Sequence, residues 1–136
     1  MMVSIARRLF SSAPTKVLLV EDLGHGIKRF SLNRGAARNA LSMQLVEELG
    51  DAIRENDDAR CVIVRSEVPG MFCAGADLKE RKSMVGEQVN EFLRDLRATF
   101  RHLEEMSCPT IAVVDGPALG GGTELALCTD MRIATK

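Results

Sequence analysis

Two apolar runs of strand length, each followed by a glycine-bearing loop, constrain the fold of this chain more than any other feature. The runs are Cys61–Arg65 (CVIVR) and Thr110–Asp115 (TIAVVD). Short continuous apolar runs are typical of strands in buried, parallel sheets. Parallel neighbours need a crossover connection, and apolar residues at helical spacing form a stripe from about residue 86 to 105, between the two runs. We therefore predict an α/β fold with right-handed crossovers.

The rest of the chain supplies further strands and helices in alternation. Residues 16–21 and 27–33 flank a Gly-His-Gly turn and predict a β-hairpin. Ser42 is expected to cap a helix that ends near residues 56–58. Residues 116–122 predict a glycine-rich turn, residues 123–128 a helix, and residues 131–135 the beginning of another strand. Four methionines, Met43, Met84, Met106 and Met131, are interpreted as core or gap-filling residues.

Composition excludes several classes of protein. The chain has 136 residues, of which 46% are hydrophobic and 27% charged, a mixture typical of one globular domain. Its 18 basic and 19 acidic residues predict no broad attraction to nucleic acid or anionic lipid. No apolar run is long enough to predict a membrane span. The four cysteines form no C-x-x-C pair and neither histidine has a partner at ligand spacing, so we predict no metal site.

The first residues have the composition of a targeting segment. Residues 1–16 contain Arg7, Arg8 and Lys16, are rich in Ser and Ala, and precede the first acidic residue, Glu21. That composition is typical of a mitochondrial transit peptide, and residues 8–12 resemble a matrix-processing site. We predict a transit peptide over residues 1–15, a domain over residues 16–136, and a location in the mitochondrial matrix. The alternative is an untargeted terminus.

Two loops carry the candidate chemistry. They are residues 72–80 (FCAGADLKE) and residues 116–125 (GPALGGGTEL). Their small side chains leave backbone N–H groups open to a ligand, and a helix N-terminus favours an anion. A P-loop would require Lys at the position of Gly122, and no dinucleotide fingerprint is present, so a nucleotide site is disfavoured. Cys73 lies in the first loop without an assigned base, and packing is favoured over nucleophilic catalysis.

Glu124 has a position that suits chemistry beside a carbonyl group. It follows Gly121 by three residues, and residues three apart share one face of a helix. A carbonyl oxygen held by the Gly121 N–H would place its neighbouring carbons close to the Glu124 carboxylate, as a donor and a base should be arranged. The alternative is that Glu124 only stabilises the helix dipole from the first turn.

These segments resemble a known family. FCAGADLKE at 72–80 and DGPALGGGTELAL at 115–127 are similar to the two signature segments of the enoyl-CoA hydratase/isomerase (crotonase) superfamily. RNALS at 38–42 resembles the segment of that family near the CoA site. The resemblance covers about residues 16–136. RSEVPGMFCAGADLKE at 65–80 is similar to the mitochondrial methylglutaconyl-CoA hydratase branch, and RNALS with its hairpin to the enoyl-CoA hydratase domain-containing branch.

The resemblance implies a fold, a reaction and an oxyanion hole. The fold would be the N-terminal part of a crotonase-like spiral of β-β-α units, which in full-length relatives assembles as trimers or hexamers. The reaction would add water across the double bond of a 2-enoyl-CoA in mitochondrial fatty-acid or branched-chain amino-acid breakdown, without a cofactor other than the CoA of the substrate. Ala76 and Gly121 would donate their backbone N–H groups to the thioester oxygen, and Glu124 would help to hold and activate the water.

The same resemblance assigns the substrate-binding surface. Asp77, Leu78 and Lys79 would extend the loop that lines the acyl-CoA site. Arg38 and Ala40 would lie near the CoA moiety, where Arg38 could meet a phosphate.

One departure from the family pattern leaves alternatives open. The second catalytic glutamate of the hydratases would lie about one structural element beyond Glu124, past Lys136. We therefore expect a fragment with uncovered apolar surface, low solubility and negligible hydratase activity. The alternatives are a non-catalytic acyl-CoA binder or assembly partner, an enoyl-CoA isomerase, and an RNA-binding module. The last is disfavoured, because residues 42–60 contain six acidic and two basic residues.

Overall fold

The computed structural model describes residues 15–135, which form one five-stranded sheet and four α-helices. Apart from Thr15, the predicted transit peptide lies outside the described residues. The strands are β1 (Leu18–Asp22), β2 (Ile27–Leu32), β3 (Cys61–Ser66), β4 (Thr110–Val114) and β5 (Met131–Ala134). The helices are α1 (Met43–Glu55), α2 (Leu78–Ser83), α3 (Gly86–Glu104) and α4 (Gly121–Leu127), with a short 3₁₀ helix at Gly35–Ala37.

The strands lie in the sheet in the same order as in the chain. β1 and β2 pair antiparallel, with Leu18 opposite Leu32 and Asp22 opposite Lys28. Each later strand pairs parallel with the one before it. The predicted hairpin and the predicted parallel arrangement of the two apolar runs are therefore confirmed.

The core lies between the sheet and the helices. Phe30, Val62 and Val64 of the sheet are fully buried, and so are Leu45 of α1 and Leu103 of α3. Burial of each such side chain contributes roughly 1.5–3 kcal/mol to folding. α4 joins the same cluster through its buried residues at positions 125 and 126, so the second glycine loop is anchored at both ends, by β4 and by α4.

The beginning of α1 is fixed by two side chains. The Ser42 hydroxyl accepts a hydrogen bond from the Leu45 N–H at 3.2 Å, which confirms the predicted cap. The Glu80 carboxylate accepts from the Met43 N–H at 2.9 Å, so α2 contributes to the cap of α1. Farther along α1, the Glu48 carboxylate accepts from two N–H groups at the start of the hairpin, those of residues 17 and 18.

Three of the sequence-based expectations about local structure are wrong. The segment from residue 78 does not continue a loop but forms α2, because the Asp77 carboxylate caps it by accepting from the N–H groups of Lys79 and Glu80. α4 begins at Gly121, two residues before the predicted start. Met43 and Met131 are each 49% exposed rather than in the core, because Met43 lies off the apolar stripe of α1 and Met131 lies on the exposed edge strand β5.

Within residues 15–135, no helix combines the length and the apolar character that a membrane span would need.

Candidate functional site

The two glycine-bearing loops lie side by side. A parallel bridge pairs Cys73 with Ala118. The Leu119 N–H donates to the Cys73 carbonyl at 3.0 Å, and the Phe72 N–H donates to the Pro117 carbonyl at 3.0 Å. Both loops follow parallel strands of the same sheet, so the sheet brings them together at its carboxyl edge.

Glycines allow the backbones of the loops to approach closely. Gly75 has φ +87°, and a Cβ there would lie 2.7 Å from the Leu119 carbonyl oxygen and 3.6 Å from the Gly121 nitrogen. A Cβ on Gly122 would lie 2.4 Å from the Cys73 carbonyl oxygen. The first turn of α4 is therefore packed directly against the loop that carries Ala76.

The bridge between Leu41 and Ala76 orients the first predicted oxyanion donor. The Leu41 N–H donates to the Gly75 carbonyl at 2.7 Å, and the Asp77 N–H donates to the Leu41 carbonyl at 3.2 Å. In a parallel pairing of this kind, the residue that lies between the bonded carbonyl and the bonded N–H directs its own N–H away from the opposite segment. The Ala76 N–H therefore faces away from Leu41.

The second predicted donor is the first N–H of a helix. Gly121 begins α4, and the first N–H groups of a helix have no intrahelical acceptor. In the backbone hydrogen bonding of residues 15–135, neither the Ala76 N–H nor the Gly121 N–H has an acceptor outside the regular elements. Both N–H groups, which lie on neighbouring loops, are thus available to a ligand.

Glu124 lies on the exposed side of the first turn of α4. Among the ion pairs of the described residues, none involves its carboxylate. The apolar side chains of Leu119 and Leu127 are also exposed, at 53% and 63%. The exposed side chains at and near the first turn of α4 therefore include the Glu124 carboxylate and two apolar groups.

The three residues expected to extend the acyl-CoA loop have different environments. Asp77 is buried and pairs with Arg34, whose Nη1 lies 2.7 Å from Oδ2. Burial raises the pKa of Asp77, but hydrogen bonds from the Glu80 N–H and from Arg34 outweigh it and hold that pKa below its ordinary value. Leu78 is 70% exposed and Lys79 is exposed, both on the first turn of α2.

The residues expected near CoA lie against the first loop. Arg38 is exposed and has φ +54°, and its carbonyl accepts from the Ala74 N–H at 3.0 Å. Ala40 is buried, and its carbonyl accepts from Arg34 Nη1 at 3.0 Å. The Arg38 guanidinium is thus presented to solvent beside the loop that carries Ala76.

Two polar residues that the sequence reasoning missed hold these segments together. Asn39 is fully buried with φ +57°; its Nδ2 donates to Ser66 Oγ at 2.8 Å and to the Phe72 carbonyl at 2.9 Å, and its Oδ1 accepts from the Arg34 N–H. Arg34 itself joins Ala40 to Asp77. The available signal was the pair of polar residues at each end of residues 33–39 (NRGAARN), which does not identify distant partners.

Cys73 is fully buried, and burial raises the pKa of its thiol. A protonated, enclosed thiol agrees with the predicted packing role rather than with a nucleophile. Across residues 15–135, no group of three or more acidic, histidine or cysteine side chains is arranged to hold a metal ion.

A groove of about 390 Å³ lies elsewhere, between α1 and α3. Val46 and Phe92 contribute its apolar surface, and Glu47, Asp95 and His102 are among its polar residues. None of its lining residues belongs to the two glycine loops, so the groove is separate from the candidate site.

Comparison with known proteins identifies relatives of this chain. Methylglutaconyl-CoA hydratase, mitochondrial, of Homo sapiens is 44% identical over 122 residues, which cover 88% of this chain and 36% of the relative. Enoyl-CoA hydratase domain-containing protein 2, mitochondrial, of Mus musculus is 48% identical over 112 residues, which cover 80% of this chain and 38% of the relative. The chain thus spans less than half the length of these relatives.

Solved structures give the same result for the fold. The enoyl-CoA hydratase of Bacillus anthracis superposes with a TM-score of 0.82 at 40% identity, over 87% of this chain and 47% of that one. The crotonase-like α/β fold expected from the signature segments is therefore confirmed, as a part of the larger fold. The enoyl-CoA hydratase/isomerase family model matches residues 22–136, and the chain belongs to that family.

Proposed function

We propose that this chain binds a 2-enoyl-CoA thioester and polarises its carbonyl for the addition of water. The observation that carries the proposal is the convergence of the Ala76 and Gly121 loops, each with a backbone N–H that has no acceptor in the described backbone network. Two such donors would accept the thioester oxygen between them and stabilise the negative charge that develops on it. Loss of one donor of this kind typically raises a barrier by about 3 kcal/mol.

The proposed reaction assigns one role to Glu124. A water held by its carboxylate adds its oxygen to the β-carbon of the enoyl group while electrons move to the thioester oxygen, giving an enolate. The Glu124 carboxylate takes the proton that the water loses, this proton is then delivered to the α-carbon, and the product is a 3-hydroxyacyl-CoA. Support comes from the position of Glu124, exposed and one helical turn from Gly121. In the family, the glutamate at this position acts together with a second glutamate. We therefore propose the complete reaction for a protein that contains both glutamates.

The test uses crotonyl-CoA labelled with ¹³C at the thioester carbonyl. We expect isotope-edited infrared spectra to show a lower carbonyl frequency when the substrate is bound to the 136-residue chain, because two hydrogen bonds weaken the C=O bond. An unchanged frequency in the bound state would contradict the proposed oxyanion hole. Hydration is followed in parallel as the loss of enoyl-thioester absorbance.

Glu124→Gln separates binding from catalysis. The variant should keep the carbonyl shift and lose any hydration that the unaltered chain shows, because an amide cannot take a proton from water. Hydration that survives this change would contradict the role of Glu124. A carbonyl shift without hydration in a longer chain that contains both glutamates would favour the second candidate, a non-catalytic acyl-CoA binder.

We also propose a mitochondrial location. The basic, acid-free composition of residues 1–15 supports it, and so do relatives named as mitochondrial proteins. A fluorescent reporter fused to residues 1–16 should enter the matrix. A reporter that stays in the cytosol would overturn this proposal without affecting the one for the oxyanion hole.

A further inference from the structure

The Arg34 side chain joins the two segments that hold Ala76. One terminal nitrogen, Nη1, donates to the Ala40 carbonyl at 3.0 Å and lies 2.7 Å from Asp77 Oδ2. The side chain is 25% exposed and that of Asp77 is 9% exposed, so solvent screens this ion pair only in part. An ion pair at the surface contributes little to stability. A half-buried ion pair whose cation also donates to a carbonyl holds its two acceptors in a fixed position relative to each other.

These two contacts enclose the residue that donates in the proposed oxyanion hole. Ala40 immediately precedes Leu41, and Leu41 bonds the backbone on both sides of Ala76. Asp77 immediately follows Ala76. Arg34 thus contacts the residue before Leu41 on one segment and the residue after Ala76 on the other, on either side of the Leu41–Ala76 bridge.

We infer that Arg34 is a positioning residue: it clamps Ala40 to Asp77 and so fixes the direction of the Ala76 N–H toward the thioester oxygen. This inference rests on the proposed function. It uses only Nη1, which contacts the Ala40 carbonyl and the Asp77 carboxylate, and it requires no contact between Arg34 and substrate.

Three variants test the inference. Arg34→Met keeps the length of the side chain but removes its charge and donors. Arg34→Lys keeps a cation with enough hydrogens for both oxygens, and we expect partial rescue. Asp77→Asn keeps an oxygen to cap α2, since Asn caps helices as well as Asp does, and breaks only the ion pair. The last variant keeps the test valid if Arg34→Met fails to fold.

The readouts are the bound carbonyl frequency and the affinities for crotonyl-CoA and for free CoA. In Arg34→Met and Asp77→Asn the carbonyl shift should shrink. Affinity for crotonyl-CoA should fall about three- to tenfold, as expected for one weakened hydrogen bond, while affinity for free CoA stays constant. Lys28→Met is the control, because Lys28 also forms an ion pair, with the exposed Asp22 at 2.8 Å, but at the far end of β2. That control should leave the carbonyl shift and the affinity for crotonyl-CoA unchanged.

The outcomes distinguish this inference from the proposed function. If the unaltered chain shows no carbonyl shift, the oxyanion hole fails and the inference fails with it. If the unaltered chain shows the shift and Arg34→Met shows the same shift, only the positioning role is overturned. An equal loss of affinity for crotonyl-CoA and free CoA would also overturn it, since that result indicates a direct contact between Arg34 and the CoA phosphates.

Discussion

Replacement of Gly122 by Ala tests how closely the two glycine loops are packed. Gly122 lies inside α4, where Ala is normally favoured over Gly by about 1 kcal/mol. Here the added Cβ would lie 2.4 Å from the Cys73 carbonyl oxygen. Real Cβ atoms essentially never lie closer than 3.0 Å to such a neighbour. The carbonyl belongs to the backbone and is fixed by the Leu119 N–H, so it cannot rotate away.

The magnitude follows from the competition between these two effects. Overpacking of a closely packed site typically costs about 1–3 kcal/mol, and a backbone clash belongs in the upper part of that range. We therefore expect Gly122→Ala to lower the free energy of unfolding by about 1–2 kcal/mol after the gain in helix propensity. The displacement of α4 should also move the Gly121 nitrogen and reduce the carbonyl shift of bound crotonyl-CoA.

Urea unfolding followed by circular dichroism measures the first effect, and infrared spectra measure the second. Gly86→Ala is the matched control, because Gly86 also lies in a helix but its Cβ would meet nothing within 4 Å. The control should be neutral or stabilising by up to about 1 kcal/mol. If Gly122→Ala stabilises the chain to the same extent as the control, the close approach of the loops is refuted.

Three further changes test the surrounding scaffold. Ser42→Ala should lower the free energy of unfolding by about 1 kcal/mol, because the Leu45 N–H loses its cap, and Ser42→Asp should restore it in urea titrations. Asn39→Ala should lower it by about 3 kcal/mol, because buried partners are left unpaired; a loss below that of Ser42→Ala would contradict the role described for Asn39. The depressed pKa of Asp77 adds stability above its unfolded pKa of about 4, and this stability is lost as the pH falls through its folded pKa. Asp77→Asn should therefore flatten the acid limb of a stability–pH profile, and an unchanged limb would contradict the Arg34 pair.

The sequence was sufficient for the elements whose signals are local. The Ser42 cap, the hairpin and the two buried strands each depend on residues within a few positions of one another, and each was predicted correctly. α2 was missed although Asp77 and Glu80 have the spacing of a helix start, because the surrounding glycine-bearing loop dominated the interpretation.

The contacts between the loops could not be predicted from one sequence. Arg34 and Asp77 are 43 residues apart, and nothing local to either one identifies the other as its partner. Asn39 reaches Ser66 and Phe72 in the same way, across 27 and 33 residues. Such pairings are consequences of sheet topology, which places the ends of β2, β3 and β4 together only after the chain has folded.

The identity between strand order and chain order has a consequence for biosynthesis. Among the five strands of residues 15–135, none has to insert between two strands that were made earlier, since each one is added beside its immediate predecessor. During translation the sheet can therefore grow from one side as residues emerge from the ribosome, with the β1–β2 hairpin as its seed. The topology therefore allows these five strands to assemble in the direction of synthesis, with each newly made strand presenting the edge on which the next one docks.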